Sequence, residues 1–386
     1  MKKILVVAPY SSLPGDGAVN RFAYLAEGLA RSGHLVTFVT SAFSHTTKSF
    51  RAAPQVTPNN MIIRLVPERG YRSHLGVGRI LSIKSFAENF KRMFSSFDEY
   101  DIVYSAYPLI SHNLYIAARR SKRTKFVIDI QDIWPESIRS AIPWVRHIPK
   151  KWLPFTRAAN KVYGSADCVV AVSSTYLARA MEVRSNLCNI VAYIGSEFTV
   201  VPNQPSRGGN LSLFYIGAIT YSYDLATVIA AVSILARQGR PVEFHVYGGG
   251  PWLSKLKAGD TAGTIFHGLL SYRELERQLR GHHVAVNCIS KSAAQTVTNK
   301  LCDYLVLGCP ILSSQECEEV RQIVAERVSA SYTGGDVESA VYAIEQLLVD
   351  GRIRDTWKPD LRFSREASFR VIENLIGTVS DKAEPC

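Results

Sequence analysis

The sequence predicts an α/β protein of two doubly wound, Rossmann-like domains in tandem. Three observations carry this. Short β-branched apolar runs alternate with longer stretches of helical period along the 386 residues, the grammar of βαβ units around parallel sheets buried on both faces. At roughly 100–200 residues per domain, the length suits two. One segment, 196–210 (SEFTVVPNQPSRGGN), breaks the alternation with Pro, Gly, Ser and Asn and reads as a linker between two series. With 47% hydrophobic and 20% charged residues the chain can fill two cores, which excludes a disordered scaffold.

The first series opens at 4–8 (ILVVA), an apolar run stopped at Pro9 with no cleavage site behind it, so it reads as a buried strand and not a signal peptide. A helix over 20–32 follows, with Phe22, Leu25, Ala26 and Leu29 on one face; Gly33 and His34 end it, and 35–40 is the next strand. Further strands fall at 102–105, 126–130 and 168–172. Beyond the linker, strands at 212–216, 243–247, 264–266, 284–288 and 310–313 alternate with helices at 224–237, 252–257, 271–280 and 299–307. The domains are expected at 1–195 and 196–363, and 364–386 holds a C-terminal helix able to cross back onto the first domain. Ligands of open parallel sheets bind outside the carboxyl ends of the strands, so two such domains predict a central cleft. No apolar run approaches the ~18 residues of a membrane span.

Seven scattered cysteines and nine histidines make no Cys-x-x-Cys pair and no ligand spacing. Neither a metal centre nor a disulfide framework is expected, and a reducing cytoplasm suits the pattern. Charge is more telling. The net charge of +12 divides unevenly: residues 1–195 hold 26 basic and 12 acidic residues, and 196–386 hold 19 and 21. An anionic partner therefore faces the first half. Arg119, Arg120, Lys122, Arg123 and Lys125 form one cluster; six basic residues and no acid lie between Arg139 and Lys161, interleaved with Trp144, Trp152 and Phe155. Residues 119–161 suit an anionic membrane surface. They equally suit a solvated helix with its tryptophans in a core. Nucleic acid is not the expected partner, since no reading motif or basic tail is present.

In the second half, Gly248, Gly249 and Gly250 stand between a strand and a helix, where they admit either a phosphate or ribose or merely a tight turn. In 296–310 (TVTNKLCDYLVLGCP), Thr298 or Asn299 caps a helix, with Lys300 in its first turn and Asp303 three residues on. The pair suits a diphosphate and a ribose, or it is a solvated ion pair on an ordinary helix. In the first half, Gly15 and Gly17 make a Gly-x-Gly loop lacking the third glycine of a dinucleotide fingerprint, and Arg21 follows on the helix. Asp129 falls inside a strand, which suits a structural hydrogen-bonding role. Asp132 and Glu136 emerge at that strand's carboxyl end, toward the expected cleft.

The order and spacing of these pieces resemble a retaining glycosyltransferase of family 4, with GT-B architecture, closest to the branch serving bacterial surface-polysaccharide and lipopolysaccharide synthesis. The resemblance runs through Gly17 to Arg21, Gly33-His34-Leu35-Val36-Thr37, Asp132-Ile133-Trp134-Pro135-Glu136-Ser137 and 166–173 (ADCVVAVS). It continues through Tyr215-Ile216-Gly217, Gly248-Gly249-Gly250-Pro251, His267-Gly268 and Lys300-x-x-Asp303-Tyr304-Leu305. It implies a UDP- or GDP-linked sugar as substrate in the second domain, with no cofactor and no metal. Asp303, the second acid of the family's Glu-x7-Glu motif, would hold the ribose. Lys300, beside Thr298 and Asn299, would meet the diphosphate. Gly217 and the 248–250 turn would border the donor, and the loop from His267 to Tyr272 would hold the base. Gly15, Gly17 and Arg21 would face a saccharide or polyprenyl-diphosphate-linked acceptor, with Asp132 orienting or deprotonating its hydroxyl and Glu136 as second candidate. The enzyme would work in the cytoplasm, peripherally on the inner membrane face. Three positions depart from the pattern: Gln295 replaces the first Glu, Ala218 the usual Arg, and Tyr223 the usual Lys. The alternatives are a nucleotide-sugar 2-epimerase of the same architecture and a non-catalytic sugar-nucleotide-binding protein.

Overall fold

A computed structural model describes residues 1–13, 20–52, 57–72, 76–141, 145, 147–198, 209–291, 293, 296–350, 353 and 357–379. The chain divides into two compact units: Met1–Tyr193 with Ser368–Cys386, and Ile194–Ala367.

The first unit runs β1 (Lys3–Val7), α1 (Arg21–Arg31), β2 (Leu35–Ser41), the short pair β3 (Phe43–Ser44) and β4 (Ser49–Phe50), β5 (Met61–Val66), α2 (Val77–Met93), β6 (Ile102–Tyr107) and α3 (Ile110–Arg119). Then come β7 (Lys125–Ile130), α4 (Ile138–Ala141), α5 (Thr156–Ser165), β8 (Cys168–Ala171), α6 (Ser174–Met181) and β9 (Cys188–Val191). Seven strands form a parallel sheet in the order β5-β2-β1-β6-β7-β8-β9. Ile4 to Val7 are all buried, as a strand covered on both faces requires. Asn20 caps α1 by accepting from the Phe22 amide, and Phe22, Leu25, Ala26 and Leu29 enter the core.

One buried pair ties this unit together. Arg21 on α1 places Nε 2.8 Å from Asp129 Oδ2 in β7, and the Tyr104 hydroxyl in β6 donates to the same oxygen at 2.5 Å. Arg21 Nη1 donates to the Tyr193 carbonyl and to Ser368 Oγ. Burial and the neighbouring carboxylate push the Tyr104 phenol well above its ordinary range. Asp129 thus has the structural role its place in the strand predicted.

The second unit runs β10 (Leu211–Ile216), α7 (Leu225–Arg237), β11 (Val242–Tyr247), α8 (Leu253–Lys257), β12 (Thr264–Gly268), α9 (Tyr272–Leu279) and β13 (Val284–Asn287). It continues through α10 (Asn299–Leu307), β14 (Ile311–Ser313), α11 (Glu318–Ala325), β15 (Ser329–Ser331) and α12 (Val337–Val349). Its six parallel strands are ordered β12-β11-β10-β13-β14-β15, around a core that includes Leu213, Val232, Phe244, Val286 and Ile344. The last helix, α13 (Arg365–Val379), sends Ile372, Leu375, Ile376 and Val379 into the core of the first unit. Phe369 covers Gly28 so closely that a Cβ there would lie 2.4 Å from the ring. Among the described residues no helix is long and apolar enough to cross a membrane.

Removing one member of a buried ion pair strands the other charge. Arg21→Leu should therefore lower stability by about 3–5 kcal/mol, read as an earlier urea transition by circular dichroism. A Lys3→Ala control should leave the midpoint in place.

Candidate active site

The segment 296–310 gains its geometry from the cap of α10. Thr298 Oγ1 accepts from the Leu301 amide at 3.2 Å, so Thr298, not Asn299, is the cap and Lys300 sits in the first turn. The Lys300 side chain runs across Gly217, and its Nζ lies 3.5 Å from the Tyr223 ring centroid and 5.5 Å from that of Tyr215. Gly217 is needed for its φ of 115°; a Cβ there would also lie 2.4 Å from Lys300 Cε, so the end of the lysine would have to move. Burial lowers the Lys300 ammonium to about 8. Two ring faces favour the cation without neutralising it, as a carboxylate would. Tyr223, which by sequence stood only for a missing lysine, is the platform beneath the lysine that remains.

Asp303 lies one turn further along, 7% exposed. Its Oδ1 accepts from Ser196 Oγ at 2.6 Å and from the Tyr272 hydroxyl at 2.9 Å, and among the described residues no donor reaches Oδ2. Burial raises its pKa to about 6, against the two hydrogen bonds. No ion pair joins Asp303 to Lys300 among the described residues, which excludes the solvated-pair reading. Ser196, assigned by sequence to the linker, is in fact half of the cradle for this carboxylate. Phe198 packs on Tyr272 beside it, ring centroids 4.5 Å apart.

Two of the three glycines have a structural cause of their own. Gly217 donates to the Tyr247 carbonyl, Ile219 to that of Gly249, and Gly248 to that of Gly268. A Cβ on Gly248 would lie 1.8 Å from the Gly217 carbonyl oxygen, and one on Gly250 2.3 Å from that of Ile219. Gly248 and Gly250 are thus glycine because the 217–219 loop lies against them, whereas Gly249 meets only the Leu269 side chain. The His267 ring stacks on Tyr247 at 4.2 Å and meets His245 Nδ1 through Nε2 at 2.9 Å. His282 joins them through the Tyr247 hydroxyl at 2.7 Å, and burial lowers it to about 3. Among the described residues no group of three or more His, Cys, Asp or Glu is placed to hold a metal ion.

In the first unit, two expectations are corrected. Arg21 is not at an acceptor surface: it is buried and spent on Asp129. Glu136 is not an available acid or base, because its carboxylate lies 2.5 Å from Arg179 Nε, with the two side chains 8% and 5% exposed. Asp132 is different. It makes no ion pair among the described residues and accepts from Ser137 Oγ at 3.2 Å, and burial raises its pKa above the ordinary aspartate value against hydrogen bonds from Ser137 and the Ile133 backbone. Gly15, Gly17 and Gln295 lie outside the described residues.

Residues 15–187 match the family profile described as Glycosyltransferase Family 4, and residues 210–350 match Glycosyl transferases group 1. No curated protein matches the sequence. Among solved structures, sucrose-phosphate synthase from Thermosynechococcus elongatus aligns with a TM-score of 0.67 at 14% identity, covering 99% of this chain and 100% of that one. The apo lipopolysaccharide outer core galactosyltransferase WaaB aligns at 0.61 and 16% identity, covering 97% and 99%. Anabaena HepE in complex with UDP and glucose aligns at 0.62 and 12% identity, covering 98% and 100%. These neighbours share the GT-B fold of two Rossmann-like domains.

The raised pKa of Asp303 has a fixed sign in stability. The fold favours its protonated form, so the stability it contributes is complete below the unfolded-state value of about 4 and is lost as pH rises through about 6. Asp303→Asn should remove this dependence. Between pH 4 and 7 the wild type should lose up to about 3 kcal/mol more than the variant, by urea titration at each pH.

Proposed function

The chain is a glycosyltransferase belonging to glycosyltransferase family 4, and from that premise we propose that it transfers a sugar, with retention, from a UDP- or GDP-linked donor to a saccharide acceptor carried on polyprenyl diphosphate. The observation that carries the donor half is the start of α10, where an ammonium without a carboxylate partner among the described residues and a carboxylate with one open oxygen stand one turn apart. Lys300 and the free amides of the first helical turn suit the diphosphate; Asp303 Oδ2 suits a ribose hydroxyl. The UDP and glucose of HepE support a uridine diphosphate donor, and WaaB supports a place in surface-polysaccharide synthesis.

As the glycosidic bond breaks, negative charge grows on the departing diphosphate. Lys300 and the helix N-terminus answer it, the role a metal ion fills elsewhere. The acceptor hydroxyl enters from the face the diphosphate leaves, so the anomeric configuration is kept without an enzyme nucleophile. Asp132, made more basic by burial, orients or deprotonates that hydroxyl. A lipid-borne acceptor places this work in the cytoplasm, at the inner membrane face.

UDP and GDP should each be titrated in a thermal-shift assay, and the donor base should give the larger stabilisation. Lys300→Ala should abolish that shift. Only the protonated ammonium attracts a diphosphate, so wild-type affinity should fall above about pH 8, by up to about tenfold per pH unit, and the variant should lack this slope. Near-normal turnover by Asp132→Asn would remove Asp132 from the mechanism.

A further inference from the structure

The two basic clusters of the first unit differ in what they expose. In the first, Arg120 is committed to Asp167 and to the carbonyls of Thr124 and Ser165, and so helps hold the fold. In the second, a short turn at Lys150–Trp152 leads into α5, and it holds two large rings in solvent: Trp152 is 73% exposed and Phe155 61%. Trp152 therefore does not belong to a core. Phe155 has a φ of 69°, in the left-handed region that a phenylalanine enters only at a cost. The ring held there is apolar and mostly in solvent.

Lys151, Arg157 and Lys161 are exposed around these rings and make no ion pair among the described residues. Lys151 also lines a pocket of about 620 Å³ with Lys150, Thr156, Asn160, Arg179 and Glu182. Lys150 there is paired with Glu182, and Arg179 with Glu136. Exposed pairs of the first kind are weak and exchange readily for another anion. The Phe155 ring also approaches Trp134, centroids 6.4 Å apart, on the loop that carries Asp132.

We infer that residues 149–161 dock the protein on an anionic lipid bilayer, with Trp152 and Phe155 entering the headgroup layer and the surrounding lysines and arginine meeting lipid phosphates. Indole and phenyl rings ringed by basic groups match the apolar boundary and the negative potential of such a surface. Its biological sense rests on the lipid-borne acceptor proposed above, because the docked face adjoins the Asp132 loop. Vesicle binding, measured without donor or acceptor, is independent of that reading.

The full chain should co-sediment with phosphatidylcholine vesicles containing phosphatidylglycerol, not with phosphatidylcholine alone, and salt should release it. Lys151→Ala and Lys161→Ala should each lower partitioning about fivefold. A Trp152→Ser, Phe155→Ser double variant, folded because both rings are exposed, should bind far more weakly, with unchanged activity on a soluble acceptor. Brominated lipid should quench wild-type tryptophan fluorescence and spare Trp152→Phe. Equal binding by the double variant, equal binding to neutral vesicles, no binding at all, or loss confined to Arg119→Ala and Arg123→Ala would each overturn the inference.

Discussion

The first unit is organised around a guanidinium that cannot leave. Arg21 is sealed between α1, β6 and β7, and its charge is met by Asp129 while Nη1 reaches the Tyr193 carbonyl and Ser368 in the first turn of α13. A buried pair adds little net stability over apolar packing, but it tolerates only one arrangement. That arrangement fixes the last residues of β7. Three positions beyond Asp129 stands Asp132, so the carboxylate proposed for the acceptor is anchored by one that never touches it. The neighbouring Glu136 is fixed the same way by Arg179, which leaves Asp132 as the acid of the loop without an ion pair among the described residues.

The second unit solves an electrostatic problem differently. The proposed diphosphate site needs a positive charge that survives partial burial, yet a carboxylate beside it would cancel the attraction. Lys300 is carried on the faces of Tyr215 and Tyr223, which stabilise the cation and leave its field intact. Asp303 is buried against its ionised form but given two hydroxyl donors on one oxygen. The near-neutral charge of this half thus goes with a site made of a few placed groups, while the excess charge of the first half sits largely on a surface.

Much of this was legible in the sequence because it is local. Apolar runs such as 4–8 marked strands, the Thr298 cap announced α10, and the position of Asp129 within a strand foretold its structural task. What was hidden depends on partners distant in sequence. Ser196 meets Asp303 across 107 residues, and Arg179 meets Glu136 across 43. Tyr223 gains its meaning only when it lies under Lys300. Strand β15 is the polar triplet Ser-Ala-Ser, whose pairing is set by β14 and not by any apolar pattern. Cys168 and Cys188, scattered by spacing, are direct partners across β8 and β9 with their sulfurs 2.8 Å apart.

The path of Lys300 over Gly217 also limits how this site can change over generations. Trimming the lysine is a single step that the surroundings can accommodate. Enlarging the glycine is not, because its φ of 115° strains any side chain placed there, and the end of the lysine would also have to move. The two positions, 83 residues apart, are thus unequal in what they tolerate. A lineage can lose the cation and keep the glycine, whose positive φ constrains it whether or not the lysine is there.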